Sequence, residues 1–395
     1  MIFASAMYAE EILFLIVLGF NLVYLAVVLY FLIHWLKIKK FQPKSANYDM
    51  SVSVVVPVRN EEKHIKECIE SLLNQNYAKD LYEVIVVDDY SVDNTRKIIR
   101  EINHAGLRFF DLRNYLGERG EKKPNKKEAI SIGIKNAQGN IIITTDGDCV
   151  RGENWLRTMI SFFSTQTYKL ITAPVLIKST YSPISILQQA DVMALMGITA
   201  ASIKAGKPIM CNGANLMYAK DTFVELEGFK GNHDVASGDD IFLMQKVLQR
   251  YPNSVGFVKN IDTAVFTHPE SSFFSLINQR IRWVGKSIRF GGPMVRFQLI
   301  FFYLYNLTIA TASIYSLYQY ITQRELKYLT LLTVALGSKI LIDLIFCLPV
   351  FSFFKKGWLV VLLPLIEPFH ILYILLTGVL SLFGRYRWRG RFVKR

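Results

Sequence analysis

Apolar positions in this chain fall into two regimes. From Ile12 to Leu36 they form an almost unbroken run, interrupted mainly by Asn21 and His34. From Phe297 onward three more blocks follow: Phe297 to Ile321, Tyr328 to Phe351 and Trp358 to Phe383. About 20 apolar residues cross a bilayer core, and a helix apolar on every side does not suit a water-facing surface. These blocks therefore read as membrane segments. No cleavable leader is expected: Glu10 and Glu11 precede the first run, no Lys or Arg does, and no small-residue cleavage site follows.

Lys37, Lys39, Lys40 and Lys44 follow the first run, which by the positive-inside bias puts the next segment in the cytoplasm. The reading is an integral protein of a bacterial inner (cell) membrane. The C-terminal blocks are separated by Gln323-Arg324-Glu325 and Lys355-Lys356-Gly357. Three full crossings would carry the basic tail (Arg385, Arg387, Arg389, Arg391, Lys394, Arg395) to the far side, against that bias. Pro364 and Pro368 bracket Glu367, so the last block is expected to kink or re-enter. The expected division is an anchor and basic linker at 1–48, a cytoplasmic domain at 49–289 ending in an interfacial helix, and a membrane region at 290–395.

Between the membrane segments the pattern alternates. Ser51 to Val56 is a β-branched run ended by Pro57, as suits a strand buried on both faces of a parallel sheet. Ile65, Ile69, Leu72 and Leu73 then recur at helical spacing behind Asn60-Glu61-Glu62, a candidate cap with an acidic first turn. Val84 to Val87 is a second strand ending in Asp88-Asp89, with Asp93 as candidate cap of the next helix. Ile141 to Thr145 is a third, ending in Asp146-Gly147-Asp148. This order predicts a doubly wound α/β domain, in which ligands sit beyond the carboxyl ends of the strands. All three polar clusters fall there.

Composition narrows the classes. The 395 residues are 51% hydrophobic and 20% charged, which excludes a disordered chain. Lys plus Arg exceed Asp plus Glu by 46 to 32, giving +14. Many of the basic residues border the apolar blocks, where anionic headgroups account for them. With no zinc-finger or RNA-recognition motif, nucleic acid is not expected as a partner. Cys68, Cys149, Cys211 and Cys347 are scattered, which argues against a disulfide framework or structural zinc. Neither GxGxxG after the first strand nor GxxxxGK[ST] anywhere appears.

Asp146 and Asp148 flank a glycine at a strand end, and carboxylates so close repel unless a cation or protons neutralise them. A hard divalent ion shared with substrate phosphates is the natural neutraliser; the plain alternative is a chance turn. Asp88-Asp89 reads either as a solvated turn or as acceptors for a base or ribose. Lys122 and Lys123 read as a solvated run, whereas Lys126, opening a helical stretch, can face a diphosphate. Ser237-Gly238-Asp239-Asp240 precedes an amphipathic run, so one acid can cap the helix and the other act as a base. Gln279-Arg280-Ile281-Arg282-Trp283 fits an interfacial helix, which leaves the tryptophan among arginines unexplained. Lys339 and Asp343 lie four apart inside an apolar block and can pair; Glu367 and His370 are a similar case.

These residues together resemble the membrane-integrated family 2 glycosyltransferases of the inverting GT-A type, which include hyaluronan, chitin, cellulose and poly-N-acetylglucosamine synthases and ceramide glucosyltransferase. The matching motifs run in order: Val55 to Glu62, Val87 to Ser91 with Asp93 and Thr95, Asp146-Gly147-Asp148, Cys211 to Asn215, Gly238-Asp239-Asp240 and Gln279-x-x-Arg282-Trp283. Trp388-Arg389-Gly390-Arg391 adds a weaker match. The resemblance implies a GT-A mixed sheet flanked by transmembrane helices. It implies Pro57, Asn60, Glu61, Asp88, Asp89, Lys126 and Asp146 at the nucleotide, and Asp146 and Asp148 holding Mg²⁺ or Mn²⁺. Asp240 is the implied base, and Arg280 and Arg282 approach the phosphates. Gln279 and Trp283 border the acceptor, with Cys211, Gly213 and Asp239 between diphosphate and acceptor. Tyr90 and Asn125 stand where the family usually has glycine. The implied reaction moves a sugar from a nucleotide-diphosphate donor, by family a UDP-sugar, to a lipid or lipid-linked glycan. A processive polysaccharide synthase with export is the alternative within the class; an inactive membrane scaffold of the same fold is the non-enzymatic one.

Overall fold

The computed structural model describes residues 2–43, 49–117, 125–232, 238–290, 292–382, 385–388 and 391–394. Lys44, Lys122, Lys123, Ser237, Phe383, Arg389, Gly390 and Arg395 lie outside the described residues. The chain divides into two compact units. One comprises 1–37, 182–201 and 271–386; the other comprises 38–181, 202–270 and 387–395.

The second unit is built on a seven-stranded mixed sheet. Its strands, with those of a smaller sheet, are β1 (Val52–Val58), β2 (Tyr82–Asp88), β3 (Leu107–Asp111), β4 (Ile141–Thr144), β5 (Val150–Arg151), β6 (Leu170–Thr172), β7 (Val175–Ile177), β8 (Leu216–Ala219), β9 (Val255–Phe257) and β10 (Val265–Thr267). The large sheet runs β3-β2-β1-β4-β8-β6-β9, and β5-β10-β7 form the second. From β3 to β4 the pairing is parallel; β8 is antiparallel to both its neighbours. Every residue of β1 is buried, as expected of a central strand covered on both faces. Proline is normally excluded from such a strand. Pro57 is tolerated because the pairing of β1 with β4 stops at Val55, before the missing N–H would be needed.

The order reverses between β1 and β4. The next strand in sequence after β1 lies on one side of it and β4 on the other, which opens a crevice at their carboxyl ends.

In the first unit, five helices among the described residues are long and apolar enough to cross a membrane: Glu10–Leu36, Pro183–Lys204, Gly292–Gln323, Lys327–Phe353 and Gly357–Leu382. Four correspond to the apolar blocks read from the sequence. The fifth, Pro183–Lys204, comes from the middle of the segment read as soluble; Gln188, Gln189 and Asp191 interrupt its apolar run. The last span starts as a 3-10 turn, Gly357–Leu362, and continues as a helix, Leu363–Leu382, with Pro368 inside it. Val17, Tyr305, Ile309, Leu331 and Ile371 pack into one apolar cluster, and Leu276, Ile277, Ile281 and Tyr373 into another.

The turn before β4 runs hard against β1. A Cβ at Gly139 would lie 2.5 Å from Ser53 N and Val52 C, and both are backbone atoms that cannot swing away. Gly139→Ala is therefore expected to cost about 1–3 kcal/mol through overpacking. A thermal melt of the purified variant checks this, and an unchanged midpoint would contradict it.

Candidate active site

The loops that follow β1 and β2 are stitched together by the motif residues themselves. Asn60 N donates to Ser91 Oγ (2.9 Å), and Val92 N donates to Asn60 Oδ1 (2.9 Å). Glu61 N donates to Thr95 Oγ1 (2.7 Å), and Glu62 N to Asp93 Oδ2 (3.1 Å). Ser91 N donates to Asp88 Oδ2 (3.0 Å). The spacing of Ser91, Asp93 and Thr95 thus has a mechanical reason: each meets a backbone N–H or side chain of the other loop. Asn60, read as a helix cap, is not one. The helix begins at Ile65, and Asn60 holds a left-handed backbone with φ +53° while its side chain crosses to the next loop.

Asp88 is fully buried beneath this loop. Burial pushes its carboxyl above the ordinary aspartate range, with the hydrogen bonds from Ser91 pulling the other way. Asp89 is also buried, and Arg59 Nη1 donates to its carbonyl at 2.5 Å. Tyr90, in a glycine-like position, takes φ +57°. Its hydroxyl donates to Gly117 O at 2.5 Å, and Arg113 lies over its ring. Those contacts hold a conformation that a side chain normally disfavours.

The acidic cluster lies past β4. Gly147 admits a close approach: a Cβ there would meet Val58 Cγ1 at 2.8 Å and Glu61 Cγ at 3.4 Å, so the Asp146-Gly147-Asp148 turn tucks under the end of β1. Lys126 opens the helix Lys126–Asn136. That helix is capped by Asn125, whose side chain accepts from Lys127 N and Glu128 N, so the second departure from glycine is a good N-cap. Lys126 Nζ lies 2.5 Å from Asp146 Oδ1 and 3.6 Å from Asp239 Oδ2. Burial alone would lower the pKa of its ammonium, but Asp146 and Asp239 more than reverse this and hold it above the usual lysine value.

Asp239 and Asp240 form the first turn of the helix Asp239–Arg250, at the positive end of its dipole. Gly213 N donates to Asp240 Oδ2 (3.0 Å). A Cβ at Gly213 would sit 3.0 Å from Asp239 Oδ2 and 3.5 Å from Lys126 Nζ. Lys126, Asp146, Gly213, Asp239 and Asp240 therefore converge, and Cys211 lies buried two residues before Gly213. Asp148 accepts from Cys149 Sγ at 3.5 Å.

One neighbour had no sequence signal of its own. His268 stacks on His64 with centroids 3.9 Å apart, and it is close enough to Asp148 to feel its charge. Burial and Lys178 lower its pKa. Among the described residues no three His, Cys, Asp or Glu side chains form a ready metal cage.

The Gln279–Trp283 motif belongs to the other unit, on the helix Phe273–Phe290. There Arg280, 5% exposed, pairs with Asp191 at 2.6 Å and stacks on Trp283 with its Cζ 4.0 Å from the ring centroid. Gln279, Arg282 and Trp283 are half-buried on the same helix.

Two family models match the chain: Glycosyl transferase family 2 over residues 53–220 and Glycosyl transferase family group 2 over 141–383. Glycosyltransferase AglE of Haloferax volcanii is 28% identical over 236 residues, 60% of this chain and 72% of that one. A Methanococcus voltae enzyme, dolichyl N-acetyl-alpha-D-glucosaminyl phosphate 3-beta-D-2,3-diacetamido-2,3-dideoxy-beta-D-glucuronosyltransferase, is 31% identical over 112 residues, 28% of this chain and 33% of that one. This chain thus spans only a third of that relative. Among solved structures, the mannosyltransferase PcManGT from Pyrobaculum calidifontis, in complex with GDP-Man and Mn²⁺, superposes with a TM-score of 0.57 at 19% identity. That match covers 95% of this chain and 98% of that one, and it shows the GT-A fold with its mixed sheet.

Lys126→Met would leave Asp146 and Asp239 facing each other without their shared cation. With Asp146 partly exposed and therefore screened, the expected loss of stability is about 1–2 kcal/mol. Because folding raises the pKa of Lys126, its contribution is complete below the unfolded lysine value and is lost only as pH rises through the folded one. The gap between wild type and variant should therefore stay flat from about pH 6 to pH 9 as far as this lysine's titration sets it. Thermal melts across that range check it; a gap that closes by pH 8 would refute the assignment.

Proposed function

The chain belongs to glycosyl transferase family group 2, and from that membership we propose a metal-assisted, inverting transfer of a sugar from a nucleoside diphosphate, with a UDP-sugar as first choice, to a lipid or lipid-linked acceptor at a membrane. The observation that carries this reading is the convergence of Lys126, Asp146, Asp239 and Asp240 beside the crevice between β1 and β4.

In this reading the loops after β1 and β2, with Pro57, Asn60, Glu61 and Asp89, bound the nucleoside, and Asp88 organises them from below. Lys126 faces the diphosphate. Asp146 and Asp148 would hold Mg²⁺ or Mn²⁺, and their donor chemistry fits: two hard oxygen ligands from the protein, with phosphate oxygens and water left to complete the shell. When bound, such an ion offsets charge developing on the leaving diphosphate.

The chain's own residues supply the rest. Asp240, fixed by the Gly213 N–H, takes the proton of the acceptor hydroxyl as that oxygen attacks the anomeric carbon. Attack comes opposite the diphosphate, so the configuration inverts. General base catalysis of this kind contributes about 10²–10⁴-fold. Lys126 stabilises the departing charge. Trp283 offers an apolar face to an acceptor sugar or lipid glycan.

A lipid acceptor is supported by the five helices among the described residues that are apolar enough for a bilayer and by the dolichyl N-acetyl-alpha-D-glucosaminyl phosphate in the name of the Methanococcus voltae relative. The deciding experiment incubates the purified protein in lipid with radiolabelled nucleotide sugars, UDP-sugars and GDP-mannose included, and identifies the product by mass. A singly glycosylated lipid supports the reading; a polymer replaces it with processive synthesis.

Two outcomes are expected. Asp240→Asn loses transfer by about 10²-fold or more while binding nucleotide as wild type does, measured by calorimetry; transfer at the wild-type rate would remove Asp240 from the mechanism. Excess chelator abolishes activity and added Mn²⁺ or Mg²⁺ restores it. Full turnover in chelator would defeat the metal assignment.

A further inference from the structure

The helix Pro183–Lys204 is apolar enough to enter a membrane, yet it carries Asp191, whose side chain is only 14% exposed. A carboxylate in such a place is costly unless it is partnered, and it is usually retained for a purpose. Its Oδ2 lies 2.6 Å from Arg280 Nη2. The Arg280 guanidinium in turn lies 4.0 Å above the Trp283 ring, three residues on along the same helix. We propose that Asp191 is a positioning residue: it fixes Arg280, and through that guanidinium it fixes the plane of the Trp283 indole that receives the acceptor. This rests on the reading of Trp283 given above.

The geometry gives Asp191 more than one hold. Its other oxygen, Oδ1, is 4.0 Å from His370 Nε2, and His370 Nδ1 is 3.7 Å from Glu367 Oε2. Glu367 lies 2.7 Å from Lys339 Nζ, which lies 2.6 Å from Asp343 Oδ2, and Tyr24 donates its hydroxyl to Asp343. Asp191 is therefore the joint between a chain of paired charges running through the membrane helices and the helix bearing the family motif. Arg280 is buried and needs a counterion. Without Asp191 the guanidinium would turn toward water and leave the face of the indole. A planar guanidinium stacks on an aromatic ring in a way an ammonium does not, so Arg280→Lys should reproduce the defect while keeping the charge.

The test uses the full-length protein in lipid with steady-state transfer, separate KM values for donor and acceptor, donor binding by calorimetry, and thermal melts. Asp191→Asn is expected to weaken acceptor use, as kcat/KM, by about 10–100-fold, the scale of a small misplacement near the chemistry, while donor affinity stays at the wild-type value. Asp191→Glu should recover part of the loss. The double variant Asp191→Asn with Trp283→Phe should be no worse than Trp283→Phe, because residues acting as one unit are not additive. Should Asp191→Asn fail to fold, Arg280→Lys decides, by the same split between donor and acceptor. Multiplying losses in the double variant, or loss of donor affinity in Arg280→Lys, would overturn the proposal. A Trp283→Phe variant with wild-type acceptor kinetics would instead remove the acceptor reading itself, so the two failures are distinguishable.

Discussion

Carboxylates gathered at short range repel, and their cost is bearable only where a cation stays charged among them. Lys126 meets that condition at the end of the central strands. It holds Asp146 and Asp239 within reach of one ammonium, and these acids raise its pKa rather than letting burial discharge it. The same arrangement leaves the crevice acidic but poised, since phosphate groups and a divalent ion arriving together would meet partners for both signs of charge. Asn125 matters here because it starts the helix at the right residue: a cap one position away would point the ammonium elsewhere.

Around that cluster the backbone is held by hydrogen bonds between loops. Asn60, Glu61 and Glu62 contact Ser91, Val92, Asp93 and Thr95 through a set of short bonds. Two residues with positive φ, Asn60 and Tyr90, sit at the bends. Such conformations persist only where surrounding contacts over-determine them, and here the opposing loop provides those contacts. The motif is therefore a brace between the two loops, and Asp88 in particular is fully buried beneath it.

β1, β2 and β4 are legible in the sequence because each is a β-branched run closed by polar residues, and the order of their polar ends points to one crevice. The far half of the sheet is not. β6 and β9 have three residues each, too few for a period, and they find their places through pairing with distant strands. Pro183–Lys204 hides behind its polar interruptions: Gln188 and Gln189 bond back along the same helix, and the partner of Asp191 lies far along the chain on another helix, at Arg280. Asn60 looks like a helix cap because Asn before a helical pattern usually is one; the competing demand, a bridge to Val92, is invisible until the fold brings the loops together. His268 carries no local pattern at all, only proximity.

The paired charges of the helical unit also bear on how such helices could be inserted into lipid. A lone acid or lysine at mid-membrane costs about 2.5–3.5 kcal/mol on insertion, and Glu367 and Lys339 each belong to a different helix while meeting at 2.7 Å. Lys339 also meets Asp343 on its own helix at 2.6 Å, so Glu367 is the charge that gains most from the neighbouring helix. If these two helices, each long and apolar enough for a bilayer, enter one, Lys327–Phe353 and Gly357–Leu382 carry a reason to be inserted together.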